Sequence, residues 1–314
     1  MDHKVCCIGQ GIIDYVILSS ELDKKIKLEK NNELGMLELE ELISTLSDNV
    51  IYSDIGGAVL NTSIDMAFLG LRNDLVLNVG NKDVPFFRER LSNVPNSVPI
   101  LQTGQSSGKV VTFVPKEREL SQLSYTNAFN YGTANEITLD EKVKKSIKES
   151  SLMYTTFYLF HENALEKNEK LLQFAKDNSK LVAIDAGGCK NFGDINDLLY
   201  LIDKYVDILF VNEAESRILQ IERNLDTLIN NGKMVVQKQG DKGSLIITTK
   251  SQLYVPAPKI KVVNTLGAGD AYSAGFLLGI LKNKSLYDCG ILGTKAAGYV
   301  IKTKNLRLDS PLTI

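Results

Sequence analysis

The sequence contains no tryptophan, few histidines and few cysteines. Only His3 and His161 occur among the 314 residues, which excludes a histidine-rich metal site and argues against Ser-His catalysis. The cysteines show neither the pattern of a disulfide framework nor the spacing of a zinc site. We therefore expect buried, reduced thiols in a cytoplasmic protein. The four residues are Cys6, Cys7, Cys189 and Cys289.

Long apolar runs and a strong net charge are also absent. No stretch approaches the roughly 20 apolar residues of a membrane helix, and the apolar run at the N-terminus ends at Ile8, too soon for a signal peptide. The 36 basic and 38 acidic side chains give a formal net charge of −2. Because no overall field attracts nucleic acid or anionic membrane, we expect neither as a partner, and any bound anion needs a local site.

Short β-rich runs alternate with helical patterns along most of the chain, which is typical of an α/β fold with a mostly parallel sheet. Apolar runs predict buried parallel strands at Lys4–Ile8, Leu152–Leu159, Leu181–Ile184, Ile208–Val211 and Met234–Gln237. Three later runs, separated only by turns, predict antiparallel strands at one sheet edge: Leu245–Thr248, Leu253–Val255 and Ile260–Val263. Predicted helices are Asn61–Leu69, Leu139–Glu149, Leu165–Asp177, Asp194–Lys204, Glu213–Leu219, Leu225–Asn230, Asp270–Leu281 and Leu286–Lys302.

A second, smaller sheet is predicted because Ile12–Leu18 and Val110–Val114 look like strands with polar, non-helical neighbours. We interpret this sheet as a lid over one edge of the main sheet. The expected organisation is a single domain over residues 1–314, with a small β lid built from roughly residues 12–18, 50–56 and 100–127.

Two glycine patterns resemble nucleotide-binding motifs and fail on spacing. After Gly9 and Gly11, the third glycine of a dinucleotide fingerprint would fall at Asp14, and no helical pattern follows. The run from Gly104 to Lys109 has one residue too few for a P-loop and leads into a strand, so it is predicted to be a polar hairpin turn. A Rossmann oxidoreductase and a P-loop enzyme are thus disfavoured.

The run Asn-Thr-Leu-Gly-Ala-Gly-Asp, from Asn264 to Asp270, predicts an anion-binding site. Gly267 and Gly269 permit a tight turn around Ala268, and the helix that begins there directs its free N–H groups and its positive dipole end at the same place. Asp270 in the first helical turn is either a helix cap or a base that accepts a proton from a hydroxyl attacking a phosphoryl group. The residues alone leave both interpretations open.

This run resembles the C-terminal signature of the ribokinase-like, or PfkB, carbohydrate and nucleoside kinases, Asp-Thr-x-Gly-Ala-Gly-Asp-x-Phe, with Asn264 and Tyr272 as departures. The segment from Gly56 to Asn61 resembles the N-terminal Gly-Gly-x-x-x-Asn signature of the same family. Further matches are the sugar-binding aspartate at Asp14, the Asn-x-x-Glu motif from Asn212 to Glu215, and a nucleotide-contacting loop from Gly240 to Gly243.

The resemblance implies a ribokinase-like three-layer α/β/α fold and an ATP-dependent kinase with Asp270 as general base. It implies that the phosphoryl group lies at Gly267, Ala268 and Gly269, and that Glu215 acts through Mg²⁺ or its waters. The implied acceptor-binding residues are Asp14, Gly56, Gly57 and Asn61, and the implied ATP-binding residues are Asn212, Gly240, Gly243 and Thr265. Some members of the family are activated by a monovalent cation such as K⁺, and Asn264 departs from the aspartate found beside that site.

Three segments resemble the adenosine-kinase-like branch, which favours a purine nucleoside as the small-molecule acceptor: Ser19–Asn49, Val206–Glu215 and Cys289–Gly298. The base would pack under the lid, with Tyr125 or Phe129 as candidate contacts. Alternatives are a sugar or sugar-phosphate kinase, for which Lys109 and Arg118 are the candidate lid cations, and a catalytically silent nucleoside-binding protein. The sequence leaves a monomer and a homodimer equally open.

Overall fold

Two β-sheets organise the chain in a computed structural model that describes residues 3–19, 41, 43–45, 47–104, 106–115, 126–130, 136–160, 164–192 and 194–314. Numbered along this described part, the strands are β1 (Lys4–Gln10), β2 (Ile12–Ser19), β3 (Val50–Gly56), β4 (Arg72–Gly80), β5 (Ser97–Gly104), β6 (Gly108–Pro115), β7 (Thr126–Asn130), β8 (Leu152–Thr156), β9 (Leu181–Asp185), β10 (Ile208–Asn212), β11 (Met234–Lys238), β12 (Gly243–Ile247) and β13 (Gln252–Pro256).

The main α-helices of the described part are numbered in the same way. They are α1 (Ala58–Phe68), α2 (Val84–Leu91), α3 (Glu141–Glu149), α4 (Leu165–Asp177), α5 (Ile195–Tyr205), α6 (Glu213–Ile218), α7 (Ile221–Asn230), α8 (Ala268–Leu281) and α9 (Leu286–Val300).

The larger sheet has the strand order β13-β12-β11-β10-β9-β8-β1-β4-β5. Its strands run parallel from β5 to β11, and β12 and β13 are antiparallel. Alternate residues of β1 enter opposite cores: Val5 and Cys7 pack with α1, α8 and α9, whereas Cys6 and Ile8 pack with α3, α4 and α5. This arrangement confirms the predicted three-layer α/β/α architecture with a mostly parallel sheet.

The second sheet has the order β3-β2-β6-β7. A single residue, Gly11, separates β1 from β2, so the chain passes directly from the larger sheet into the smaller one. Strand β2 pairs parallel with β6 and antiparallel with β3. The lid range that begins at residue 100 is too long at its start, because β5 pairs with β4 in the larger sheet up to Gly104.

Most predicted elements are present within one to three residues of their expected ends, but strands β4 and β5 and helix α2 were not predicted, and three further details are wrong. Ile260–Val263 is not a strand, because the N–H groups of Val263 and Asn264 donate to the carbonyl of Ile301 after α9. The strand expected to run to Leu159 ends at Thr156, where a 3₁₀ turn begins. Gly104 ends β5 in the larger sheet, and Gly108 begins β6 in the smaller one. The segment between them therefore connects the two sheets and is not the predicted hairpin turn.

The cysteine prediction is confirmed, because all four side chains are buried and none forms a disulfide. Among the described helices, none combines the length and apolar composition needed to cross a bilayer.

Glycines allow helix α8 to pack closely against α9. A Cβ atom on Gly275 would lie 2.5 Å from the carbonyl oxygen of Leu292 and 2.9 Å from the Cα of Gly293. Because those atoms belong to the backbone, they cannot rotate away. The helix whose N-terminus forms the predicted anion site therefore has a fixed position relative to its neighbour.

Replacing Gly275 with alanine should therefore lower the free energy of unfolding by about 1–3 kcal/mol, the usual cost of overpacking a core. Gly298→Ala in α9 is the matched control, because its added methyl group meets only the terminal Cδ1 of Ile260. Urea titrations followed by circular dichroism measure both. Equal stability changes in the two variants would contradict this account of the helix contact.

Candidate active site

The carboxyl ends of three adjacent parallel strands present polar side chains at one edge of the larger sheet. Asp185 ends β9, Asn212 ends β10 and Lys238 ends β11. Nζ of Lys238 donates to Oδ2 of Asp185 at 2.5 Å, and the hydroxyl of Ser273 in α8 donates to the same oxygen at 3.2 Å. Asp185 therefore connects the central strands to α8. Open α/β sheets bind ligands outside this edge.

The N-terminus of α8 lies beside Lys238. Gly267 is the N-cap residue with φ of 74°, and a Cβ atom there would lie 1.6 Å from the carbonyl oxygen of Leu306, so only glycine fits. The amides of Gly269 and Asp270 are in the first turn and have no acceptor within the helix. A Cβ on Gly269 would lie 3.3 Å from Nζ of Lys238. Backbone N–H groups and an ammonium group thus converge on a place that suits an anion.

One hydrogen bond holds the carboxylate of Asp270, and several nearby charges shift its pKa. Nδ2 of Asn61 donates to Oδ2 of Asp270 at 3.1 Å. Burial and the nearby Asp185 carboxylate raise the pKa of Asp270 to about 7, and the Asn61 hydrogen bond and the charge of Lys238 oppose that rise. A carboxylate that titrates near neutral pH is well suited to accept a proton.

Glu215 and Asn212 form a reciprocal cap at the start of α6. The backbone N–H of Asn212 donates to Oε2 of Glu215 at 2.8 Å, and the N–H of Glu215 donates to Oδ1 of Asn212 at 2.9 Å. Burial and the neighbouring Asp185 raise the pKa of Glu215 to about 6. Although burial lowers the pKa of Lys238, the carboxylates of Asp185 and Glu215 raise it above its ordinary value. Lys238 therefore stays charged among the acidic groups.

The donor set fits a magnesium ion that arrives with phosphate groups better than a cage made by the protein. Within the described residues, no group of three or more His, Cys, Asp and Glu side chains is arranged to hold a metal. Lys238 already pairs with Asp185, whereas Glu215 uses one carboxylate oxygen in its cap. Mg²⁺ commonly keeps several waters and takes one or two carboxylates together with phosphates. Glu215 is the residue here that suits such an arrangement.

Asp14 lies in the second sheet, within β2, and not at the carboxyl end of a strand of the larger sheet. It pairs directly with Asp54 of β3. A Cβ atom on Gly56 would lie 1.9 Å from Oδ2 of Asp14, so the glycine makes room for this carboxylate. Burial raises the pKa of Asp14 to about 6, with Arg307 lowering it and Asp54 raising it.

Arg307 joins the second sheet to α1. Its guanidinium donates to Oδ2 of Asp54 at 2.6 Å, to the carbonyl of Ile55 at 2.9 Å and to Oδ1 of Asn61 at 3.0 Å. Asp54 of the second sheet and Asp270 of α8 are therefore connected through Arg307 and Asn61, because Asn61 contacts both Arg307 and Asp270.

Three residues of this site, Asp185, Lys238 and Arg307, are missing from the sequence-based prediction. The first two directly follow the predicted strands Leu181–Ile184 and Met234–Gln237, and a charged residue at the end of a buried parallel strand was the available signal. Arg307 follows the last helix and had no such signal.

The remaining predicted glycine and loop residues lie at turns and at the starts of helices or strands. Gly57 is the N-cap of α1 with φ of 110°, so Asn61 is within the helix and not its cap. Gly243 has φ of 110°, and its Cβ would meet the carbonyl of Val255 at 2.1 Å. Gly240 has φ of 61° in the exposed turn before β12. The carbonyl of Thr265 accepts a weak bond from Ala268 at 3.4 Å.

The other candidate residues from the sequence lie in the lid and in the loop before α8. Oδ1 of Asn264 accepts the N–H of Leu266 at 3.0 Å, so its side chain holds the first turn of residues 264–269, which we call the anion loop. Lys109 is buried on β6. Arg118 and Tyr125 lie outside the described residues, and so does the side chain of Phe129 on β7.

Comparison with known proteins gives a match over almost the whole chain. The sequence model described as pfkB family carbohydrate kinase matches residues 2–312. A nucleoside kinase from Methanocaldococcus jannaschii is 26% identical over 317 residues, covering 98% of this chain and 94% of that protein. A 5-dehydro-2-deoxygluconokinase from Clostridium beijerinckii is 25% identical over 277 residues, covering 82% and 81%. The crystal structure of adenosine kinase from Sinorhizobium meliloti shares the fold, with a TM-score of 0.83, 23% identity and coverage of 99% and 97%.

Removing one charged neighbour of Asp270 at a time should shift its pKa in opposite directions. Lys238→Met removes a positive charge that favours the carboxylate, so the pKa should rise. Asp185→Asn removes a negative charge that disfavours it, so the pKa should fall. Carboxyl ¹³C NMR titrations, with the resonance assigned through Asp270→Asn, measure both shifts. Shifts of the same sign would contradict the proposed arrangement of charges.

Proposed function

The chain belongs to the pfkB family of carbohydrate kinases and is an ATP-dependent kinase, and we propose that its acceptor is a hydroxyl of a nucleoside, namely the 5′-hydroxyl of adenosine or a related purine nucleoside. The nucleoside kinase relative from Methanocaldococcus jannaschii, 26% identical, supports this choice. The polar and apolar groups on the acceptor side support it independently.

The transferred phosphoryl group would lie at the N-terminus of α8. The first-turn amides of Gly269 and Asp270 and the ammonium group of Lys238 would stabilise the charge on its oxygens, which supplies most of the rate in phosphoryl transfer. The rest of ATP would extend along the loops after β10 and β11. The residues proposed to contact it are Asn212, Gly240, Gly243 and Thr265.

Glu215 would orient the waters of a magnesium ion carried by the phosphates. When bound, Mg²⁺ supplies positive charge that neutralises phosphate oxygens. The cap between Glu215 and Asn212 fixes the direction of the carboxylate before any ligand arrives.

Asp270 would accept the proton of the attacking hydroxyl. Its pKa of about 7 leaves much of it ionised at neutral pH, and its hydrogen bond with Asn61 limits rotation of the carboxylate. Asn61 also has a second N–H hydrogen on Nδ2, which a hydroxyl of the acceptor can accept.

The observation that carries the nucleoside assignment is the mixed character of one face of the second sheet. Val110 and Asp54 lie opposite Asp14 on the two neighbouring strands, so the three side chains share a face. Ile12 and Val16 lie on that face because residues alternate along a strand. All five are partly exposed. Carboxylates beside apolar side chains suit a ribose attached to a flat base.

The same face is unfavourable for a sugar phosphate. Asp14 and Asp54 would repel a second phosphate group, and the guanidinium of Arg307 is already paired with Asp54. A neutral acceptor with several hydroxyls fits better.

A panel of acceptors tests the proposal. The specificity constants kcat/KM are measured with ATP and Mg²⁺ for adenosine, inosine, cytidine, ribose, fructose and fructose 6-phosphate at equal concentrations. A purine nucleoside should have the highest value. If a free sugar or a sugar phosphate exceeds every nucleoside, the acceptor assignment is wrong while the kinase assignment stands.

The variant Val110→Ala separates base recognition from ribose recognition. Loss of two methyl groups that the bound base would cover should lower kcat/KM for the best nucleoside by about tenfold, because the base would lose apolar contact. The value for free ribose should change little, so ribose is the internal control. An equal loss for both acceptors would place Val110 away from the base.

A further inference from the structure

Arg307 lies between the second sheet, helix α1 and the N-terminus of α8. It follows α9 in a segment outside any helix or strand, and its side chain is only 13% exposed. The residue before it, Leu306, has its carbonyl oxygen packed against Gly267. The N–H of the residue after it, Leu308, donates to Oδ1 of Asp65 in α1 at 2.7 Å. The residues 306–308 thus contact the anion loop and α1 at once.

We propose that Arg307 is a positioning residue that fixes the side-chain amide of Asn61 and, through it, orients Asp270 for phosphoryl transfer. This inference rests on the proposed role of Asp270 as the base and is independent of which acceptor the protein uses.

The chemistry of the two side chains determines the amide orientation. A guanidinium group can only donate hydrogen bonds, so Asn61 must turn its oxygen toward Arg307, as it does at 3.0 Å. Its nitrogen then points to Asp270, to which it donates at 3.1 Å. The reversed amide would place its NH₂ group against the guanidinium and its oxygen against the carboxylate. Both hydrogen bonds would be lost.

The same guanidinium connects this orientation to the acceptor side. Asp54, which accepts from Arg307 at 2.6 Å, lies opposite Asp14 in the second sheet. The side chain of Arg307 therefore fixes the distance between the sheet that contains Asp14 and the helix that contains Asn61. Lysine cannot replace it, because one ammonium group cannot span three separate acceptors in the geometry of a planar fork.

An asparagine side-chain ¹⁵N NMR experiment tests the orientation without any enzymatic assay. The Asn61 NH₂ resonance is assigned by its loss in Asn61→Ala. Arg307→Gln and the milder Arg307→Lys should both shift this resonance. Arg90→Gln is the matched control, because Nε of Arg90 lies 3.4 Å from Oδ1 of the same Asp54 and Arg90 does not contact Asn61; it should leave the resonance in place. An unchanged resonance in both Arg307 variants would overturn the proposal.

A double-mutant cycle then tests the consequence for turnover, using whichever acceptor the wild type phosphorylates best. Arg307→Gln should lower kcat by about 10- to 100-fold, the size expected for misplacing a reacting group by about 1 Å, while KM for ATP stays unchanged. In the Asn61→Ala background the same substitution should cost less than about threefold, because the two residues act in series. Arg90→Gln should keep the wild-type kcat.

An equal loss of kcat in both backgrounds would show that Arg307 does not act through Asn61. If the wild type phosphorylated no acceptor, the proposed function would fail, and the NMR result would still decide whether Arg307 sets the amide orientation.

Discussion

A single buried lysine makes the arrangement at the edge of the larger sheet possible. Lys238 lies among the carboxylates of Asp185, Glu215 and Asp270, and three acids this close would otherwise repel one another. Attraction to these groups keeps the lysine charged despite its burial, and its charge opposes the rise in the pKa of Asp270. The pKa of Asp270 therefore stays near 7, where the group can both hold and release a proton. This balance of charge is the property on which the proposed chemistry depends.

Backbone geometry places that balanced cluster against the proposed anion site. Gly267 has no space for a side chain beside Leu306, and the glycines of α8 allow close contact with α9. The unpaired amides of the first turn are consequently held next to Lys238 before a ligand binds. Such preorganisation stabilises developing charge without the cost of reorganising the site. Asn61 then links the cluster to the second sheet, where Asp14 and the apolar side chains of β2 and β6 lie.

Local signals allowed much of this to be predicted from the sequence. The glycine run before α8 and the strand ends indicated the edge of the sheet at which we propose that phosphates bind, because both signals come from residues that are neighbours in the chain. The contacts of Arg307 with Asp54 and Asn61 could not be predicted, since they join residues about 250 positions apart that no short motif connects. Strand β4 was missed for a related reason. Its buried Asn73 is polar, and the hydrogen bonds with Ser63 that satisfy it, at 2.7 and 3.0 Å, exist only in the folded chain.

The turnover of Asp270→Asn tests the central claim most directly. Asparagine keeps the shape of the side chain and cannot accept a proton at neutral pH, so kcat should fall by about 10²- to 10⁴-fold. The KM for ATP and the circular dichroism spectrum should stay close to those of the wild type. A kcat within a few-fold of the wild type, measured with the best acceptor, would show that another group accepts the proton and that the charge balance around Lys238 serves a different purpose.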